Sequence, residues 1–183
     1  MSNQGGVQPG SLCRVIRVFT KALRYFAIVT LIGSFGVWIY AFSGAADRDP
    51  PDLLDDATWS SDAEAVCAAA LTEVEEMPGA LDADDAAERS QQVLDTTDRF
   101  DIMVDELAEL EAGTVRDSQI TADWLADWYV LLDDRRRYAR AIVDDPTAPF
   151  TITDTGVGER LDKRITRFAT TNSMLSCVTP TDV

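Results

Sequence analysis

The sequence predicts an all-α protein, in which an N-terminal transmembrane helix precedes an up-and-down four-helix bundle-like domain closed by one disulfide. Three observations lead there. Residues 25–46 form a run of 22 without a charged side chain, the chain beyond them repeats apolar residues in steps of three and four with no strand pattern of any length, and an even pair of cysteines remains once Cys13 is set aside. A chain of 183 residues has room for an anchor and one domain of ordinary size.

Residues 1–24 read as a cytoplasmic basic tail. Met1–Gly10 is rich in Gly, Gln and Ser without an apolar pattern, which predicts disorder. Arg14, Arg17, Lys21 and Arg24 follow, and no acidic residue occurs before Asp47. Residues 25–46 are the predicted transmembrane helix, long enough at 1.5 Å per residue to cross a hydrocarbon layer of about 30 Å. Tyr25 and Phe26 mark one end and Trp38, Tyr40 and Phe42 the other, as amphipathic rings do at headgroup level. Basic residues before the span and acidic ones after it put the N-terminus inside and the C-terminal domain outside. The competing reading is a cleaved signal peptide with Ser43, Gly44, Ala45 and Ala46 as the cleavage region, but the apolar run exceeds the usual 7–15 residues or so of a secretory one. Gly33 and Gly36 miss the GxxxG spacing of helix dimers.

Residues 47–58, with Pro50 and Pro51 among aspartates, read as a stiff acidic linker, and 59–183 as the extracytoplasmic helical domain. Helix A is predicted over roughly 61–77 from a Ser61/Glu64 capping box and the stripe Ala63, Val66, Cys67, Ala70, Leu71, Val74, on which Trp59 also falls. Helix B, roughly 84–112, carries the seam Ala86, Ser90, Val93, Thr97, Phe100, Val104, Leu107, and Gly113 ends it. Helix C, roughly 119–144, carries Ile120, Trp124, Trp128, Leu131, Arg135, Tyr138 and Ile142, and Pro146 stops it. Phe150–Ile152 is expected to be extended and to tuck an aromatic under the bundle. Helix D, roughly 157–175, carries Val157, Leu161, Ile165, Phe168 and Asn172. Short loops imply that A lies beside B, B beside C, and that D returns next to A.

That topology brings the start of A near the end of D, so Cys67 and Cys177 are expected to pair in an oxidising compartment while Cys13 stays reduced inside. No CxxC spacing or neighbouring histidine suggests a redox-active pair.

Composition removes much chemistry. The chain has no histidine, which excludes Ser-His-Asp and Cys-His catalysis, His-ligated zinc and the Glu-x-x-His di-iron sites of bundles. Residues 155–158 lack the Lys and length of a phosphate loop, and no EF-hand spacing surrounds Asp82, Asp84, Asp85 and Glu88, which suit the start of a helix dipole. Of the 16 basic and 32 acidic residues, only four basic ones lie within residues 1–46, leaving 12 against 32 beyond, a net −20 that repels nucleic acid and anionic lipid. With so many acids some carboxylate pair is always available, so a carboxylate hydrolase is not singled out.

The most distinctive stretch is 124–138. It is apolar on more than one face, so helix C is either central to the bundle or touches a partner as well, with Trp124, Leu125, Trp128, Tyr129 and Leu132 as the possible partner surface. Asp133 and Asp134 stand at helical spacing to Arg136 and Arg137. Arg135 falls on the apolar stripe and is expected to be partly buried and paired with Asp98, Asp101 or Asp105 of helix B.

The expected function is a single-pass membrane-anchored extracytoplasmic interaction or scaffold module that binds another envelope or membrane protein. No enzymatic activity, cofactor, metal or nucleic-acid partner is expected. The alternative is an extracytoplasmic ligand- or cation-binding sensor or scavenger domain.

Overall fold

The computed structural model describes residues 9–43, 50–156 and 158–182. The chain divides into two compact units, residues 1–49 and 50–183.

The first unit contains α1, Pro9–Phe42. Its stretch Leu23–Phe42, 20 residues and about 30 Å of helix, is long and apolar enough to cross a membrane, and none of it is buried. Trp38 and Phe42, one helical turn apart, stack with ring centroids 5.1 Å apart. The disorder expected for Met1–Gly10 concerns residues 1–8, which lie outside the described residues, and Pro9 and Gly10, which open the helix. The predicted end of the span, 44–46, also lies outside them.

The regular elements of the second unit are all helices, with no strand among the described residues. Helix α2 spans Ala57–Glu75, α3 Ala86–Ala108, α4 Val115–Asp144 and α5 Leu161–Thr171, and a short 3-10 helix follows at Leu175–Cys177. Helices α2 and α3, α3 and α4, and α4 and α5 are neighbours in sequence order, as short connections require. The return to α2 differs from the expectation: the 3-10 helix, not α5, lies against α2. Helix α5 is too short to do so, because the chain leaves it at Ser173.

The helix ends show why the boundaries moved. Helix α2 starts a turn earlier than the Ser61/Glu64 box, because Asp56 accepts from the Thr58 amide and caps it. Glu64 instead accepts from the Ser176 amide and hydroxyl and docks the 3-10 helix. Asp85 caps α3, and Glu88 reaches back to the Asp84 amide. Thr114 caps α4 through the Asp117 amide. Gly156 and Gly158 hold φ of +72° and +79°, which delays α5 to Leu161.

At the far end of α5 the Ser173 amide donates to the Thr170 carbonyl and the Met174 amide to the Ala169 carbonyl, a Schellman closure. That motif needs a left-handed residue, and Ser173 supplies it at φ +61°. Replacing Ser173 with glycine removes the Cβ clash of that conformation, partly offset by a freer unfolded chain, and is expected to stabilise by about 0.5 kcal/mol in urea unfolding. A loss of stability would contradict this account of the turn.

Residues 50–58, read above as linker, belong to the folded domain. Leu54 is buried, and its amide donates to Asn172 Oδ1 at 2.9 Å. The Asp55 and Asp56 amides donate to the two oxygens of Asp117, a carboxylate with no exposed surface, at 3.1 Å each. Arg116 adds bonds to the Pro51 and Leu53 carbonyls. Side-chain acceptors on α4 and α5 thus pin a segment whose own sequence is only acidic and proline-containing.

The core is a ladder of aromatics. Trp59 of α2 meets Trp124 of α4 edge to face, Trp124 meets Trp128 in the same way, and Phe168 of α5 closes on Trp124 at 4.9 Å. A smaller cluster of Ala80, Val93, Tyr138, Ala139 and Ile142 fills the far end. Phe150 packs on Tyr138 there at 5.5 Å, so it does tuck under the bundle, although 150–152 is not a strand.

Candidate functional site

Cys67 and Cys177 form the expected disulfide, both without exposed surface, and join α2 to the 3-10 helix.

The predicted partner surface is corrected. Trp124, Leu125, Trp128 and Leu132 are all buried, and only Tyr129 reaches solvent, at 39% exposure. The physical reason is the place of α4, which has α3 on one side and α5 on the other. Its second apolar face is consumed by a second neighbour. Tyr129 donates to Asp105 at 2.8 Å, and partial burial together with that carboxylate raises its pKa above the ordinary phenol value.

Arg135 is buried, at 1% exposure, but its partner is corrected too. Its Nη1 and Nη2 donate to the two carboxylate oxygens of Asp182 at 2.7 and 2.8 Å. Helix α3 contributes the hydroxyls of Thr97 and Thr96, at 2.9 and 2.8 Å. The aspartates of α3 go elsewhere: Arg136 takes Asp101 at 2.8 Å and Asp98 at 3.8 Å. Arg135 faces the buried stripe of α3, whereas those aspartates lie on its wet side. Burial works to raise the pKa of Asp182, but the hydrogen bonds and charge of Arg135 outweigh it, and the carboxyl is held below its ordinary value. The adjacent pairs Asp133–Arg136 and Asp134–Arg137 form as their spacing implies. Asp134 also accepts from the Thr153 amide and hydroxyl and fastens the loop before α5.

An open groove of about 410 Å³ lies beside α4 and α5. Ile120, Trp124 and Phe168 give it an apolar floor. Asp123 and Asp127 on α4, Arg164 and Arg167 on α5, and Asp52 make its rim. Asp127 and Arg164 pair fork to fork, and Arg164 also donates to Thr155 at 2.9 Å. Arg167 joins Asp52 and Glu159. The hydrogen bond to Asp127 keeps the Arg164 guanidinium more firmly protonated than usual, and the one to Asp52 does so for Arg167. Among the described residues Asp123 is the rim charge left without a partner, and it is exposed.

Such a surface suits an amphipathic segment with an apolar anchor and a mixed-charge border. The groove holds no cysteine, serine or histidine to act as nucleophile or base. Among the described residues no three Cys, Asp or Glu side chains converge as metal ligands would. Of the predicted partner surface only Trp124 lines this groove, while Ile120 and Phe168 stand at positions that the helical period assigns to the core. No protein family, curated protein or solved structure matches the chain.

Proposed function

We propose that this chain is a single-pass membrane protein whose disulfide-closed helical domain stands outside the cytoplasm and serves as an interaction module for another envelope or membrane protein. The observation that carries the proposal is the exposed apolar stretch Leu23–Phe42. Among the described residues none of these 20 is buried, and water is a poor solvent for them. The buried Cys67–Cys177 bond supports a second unit that matures where disulfides persist. The groove beside α4 and α5 is the surface on which we place the partner. On a domain of strong negative charge, the favoured partner segment is basic with an apolar anchor.

Photo-cross-linking from position 120, at the groove floor, in intact membranes tests this, with position 102 on exposed α3 surface as the control. A discrete adduct from 120 and none from 102 is the expected result. A cytosolic C-terminal reporter, or an intact mass lacking residues 1–46, would overturn the anchor. Equal labelling from both positions would overturn the groove.

A further inference from the structure

The contact between Arg135 and Asp182 has the form of a binding site with its ligand in place. The guanidinium sits at 1% exposure, over the ring of Phe100 at 5.5 Å, with Nε on Thr97 and Nη2 on Thr96. Both threonines are buried and both belong to α3, while Arg135 belongs to α4, so the receiving half is built on two packed helices. Into it comes one carboxylate, held in a two-pronged grip by Arg135 and touched by the Thr96 hydroxyl at 3.3 Å.

The delivering half is built differently. Beyond Cys177, residues 178–182 belong to no helix, and among the described residues they make no backbone-to-backbone hydrogen bond. Apart from Asp182, Val178 packs partly buried against the core at the start of this strap, and Thr179 holds it through its amide and hydroxyl on Thr166, at 3.4 and 3.0 Å. The Asp182 side chain keeps 27% of its surface in water. A rigid receptor and a loosely held strap differ in how readily they open.

We propose that Arg135, Thr96 and Thr97 form a carboxylate receptor, filled in this state by the chain's own Asp182, and that a carboxylate from another molecule displaces it. The strap does not leave freely, because an unpaired guanidinium in this setting is strongly disfavoured. An incoming carboxylate removes that penalty, so release of the strap is coupled to anion capture and is selective for the planar two-oxygen shape over chloride. The source is either a free carboxylate or Asp182 of a second copy.

The test uses the full chain in detergent at neutral pH, with sodium acetate against sodium chloride at equal ionic strength. Amide hydrogen exchange at Thr179, whose amide donates to the Thr166 hydroxyl, is expected to be faster by about threefold or more in acetate, and Arg135→Met is expected to abolish the difference. Asp182→Ala, which empties the grip, is expected to gain on the order of 5 °C in melting temperature from acetate in a saturable manner. A dimer that acetate dissociates would assign the carboxylate to a second copy; acetate acting on a monomer would assign it to a free ligand. Equal exchange rates in the two salts overturn the proposal, and this reading stands even where Asp182→Ala does not fold. A folded Asp182→Ala protein indifferent to acetate also overturns it.

Discussion

Replacing Cys67 and Cys177 together with alanine is expected to destabilise the domain by about 2–5 kcal/mol, the range for losing a native bridge from a small domain. The bond closes a stretch of sequence separation 110, and chain entropy alone assigns a loop of that length about 4 to 5 kcal/mol. The structure gives two reasons to expect the lower half of the range. Glu64 still holds the Ser176 amide and hydroxyl, and Met174 beside them is buried, so the 3-10 helix keeps its dock on α2 when the covalent tie is cut. Alanine also leaves only a small cavity at two fully buried positions. Thermal unfolding of the full chain in detergent, followed by near-ultraviolet circular dichroism, is expected to show a midpoint lowered by roughly 10 °C. An unchanged midpoint would mean that the noncovalent dock closes the bundle by itself.

The second large effect is an asymmetry between the two sides of one ion pair. Asp182→Ala is expected to cost about 3 kcal/mol, the low end for breaking a buried pair, because water already reaches 27% of the aspartate. It strands a guanidinium at 1% exposure with two threonine hydroxyls and the Phe100 ring as its remaining neighbours. Arg135→Met is expected to cost only about 1 kcal/mol or less, since it fills the space with apolar atoms and lets Asp182 turn to solvent. The hydroxyls it releases already donate to backbone carbonyls, Thr97 to Val93 and Thr96 to Gln92. Urea unfolding of the two variants side by side decides the point, and equal losses would contradict it.

The same pair sets an acid dependence. The folded Asp182 carboxyl lies below its ordinary value of 3.8, so the unfolded chain binds its proton first as pH falls. Its contribution is complete above that value and disappears as pH drops through the lower folded one. Asp182→Asn is expected to flatten the stability curve below about pH 4 and to leave its slope at neutral pH unchanged.

How much of this was legible beforehand depends on whether a feature is periodic. Helices α2, α3 and α4 announce themselves because each buries a stripe, and burial repeats with the turn of the helix. The apolar span is legible for a related reason, since length and absence of charge are properties of a contiguous segment. The disulfide followed from parity and from the order of the helices. Asp182 and Asp117 carry no such signal. Each acts as a single acceptor, one across 47 residues to Arg135 and the other across about 60 to the segment before α2. An isolated aspartate among 23 gives nothing to count.

Sequence by itself therefore determined the helical class, the separation of an apolar helix from an acidic domain and the pairing of the cysteines, because each rests on local chemistry repeated along the chain or on simple exclusion. Tertiary structure alone decided that the second apolar face of α4 is covered by α5, that residues 50–58 belong to the domain, and that Arg135 holds Asp182. Those outcomes depend on which side chains meet across the bundle, and a buried charge accepts whichever acceptor the folded backbone delivers to it, however far away that acceptor lies in the chain.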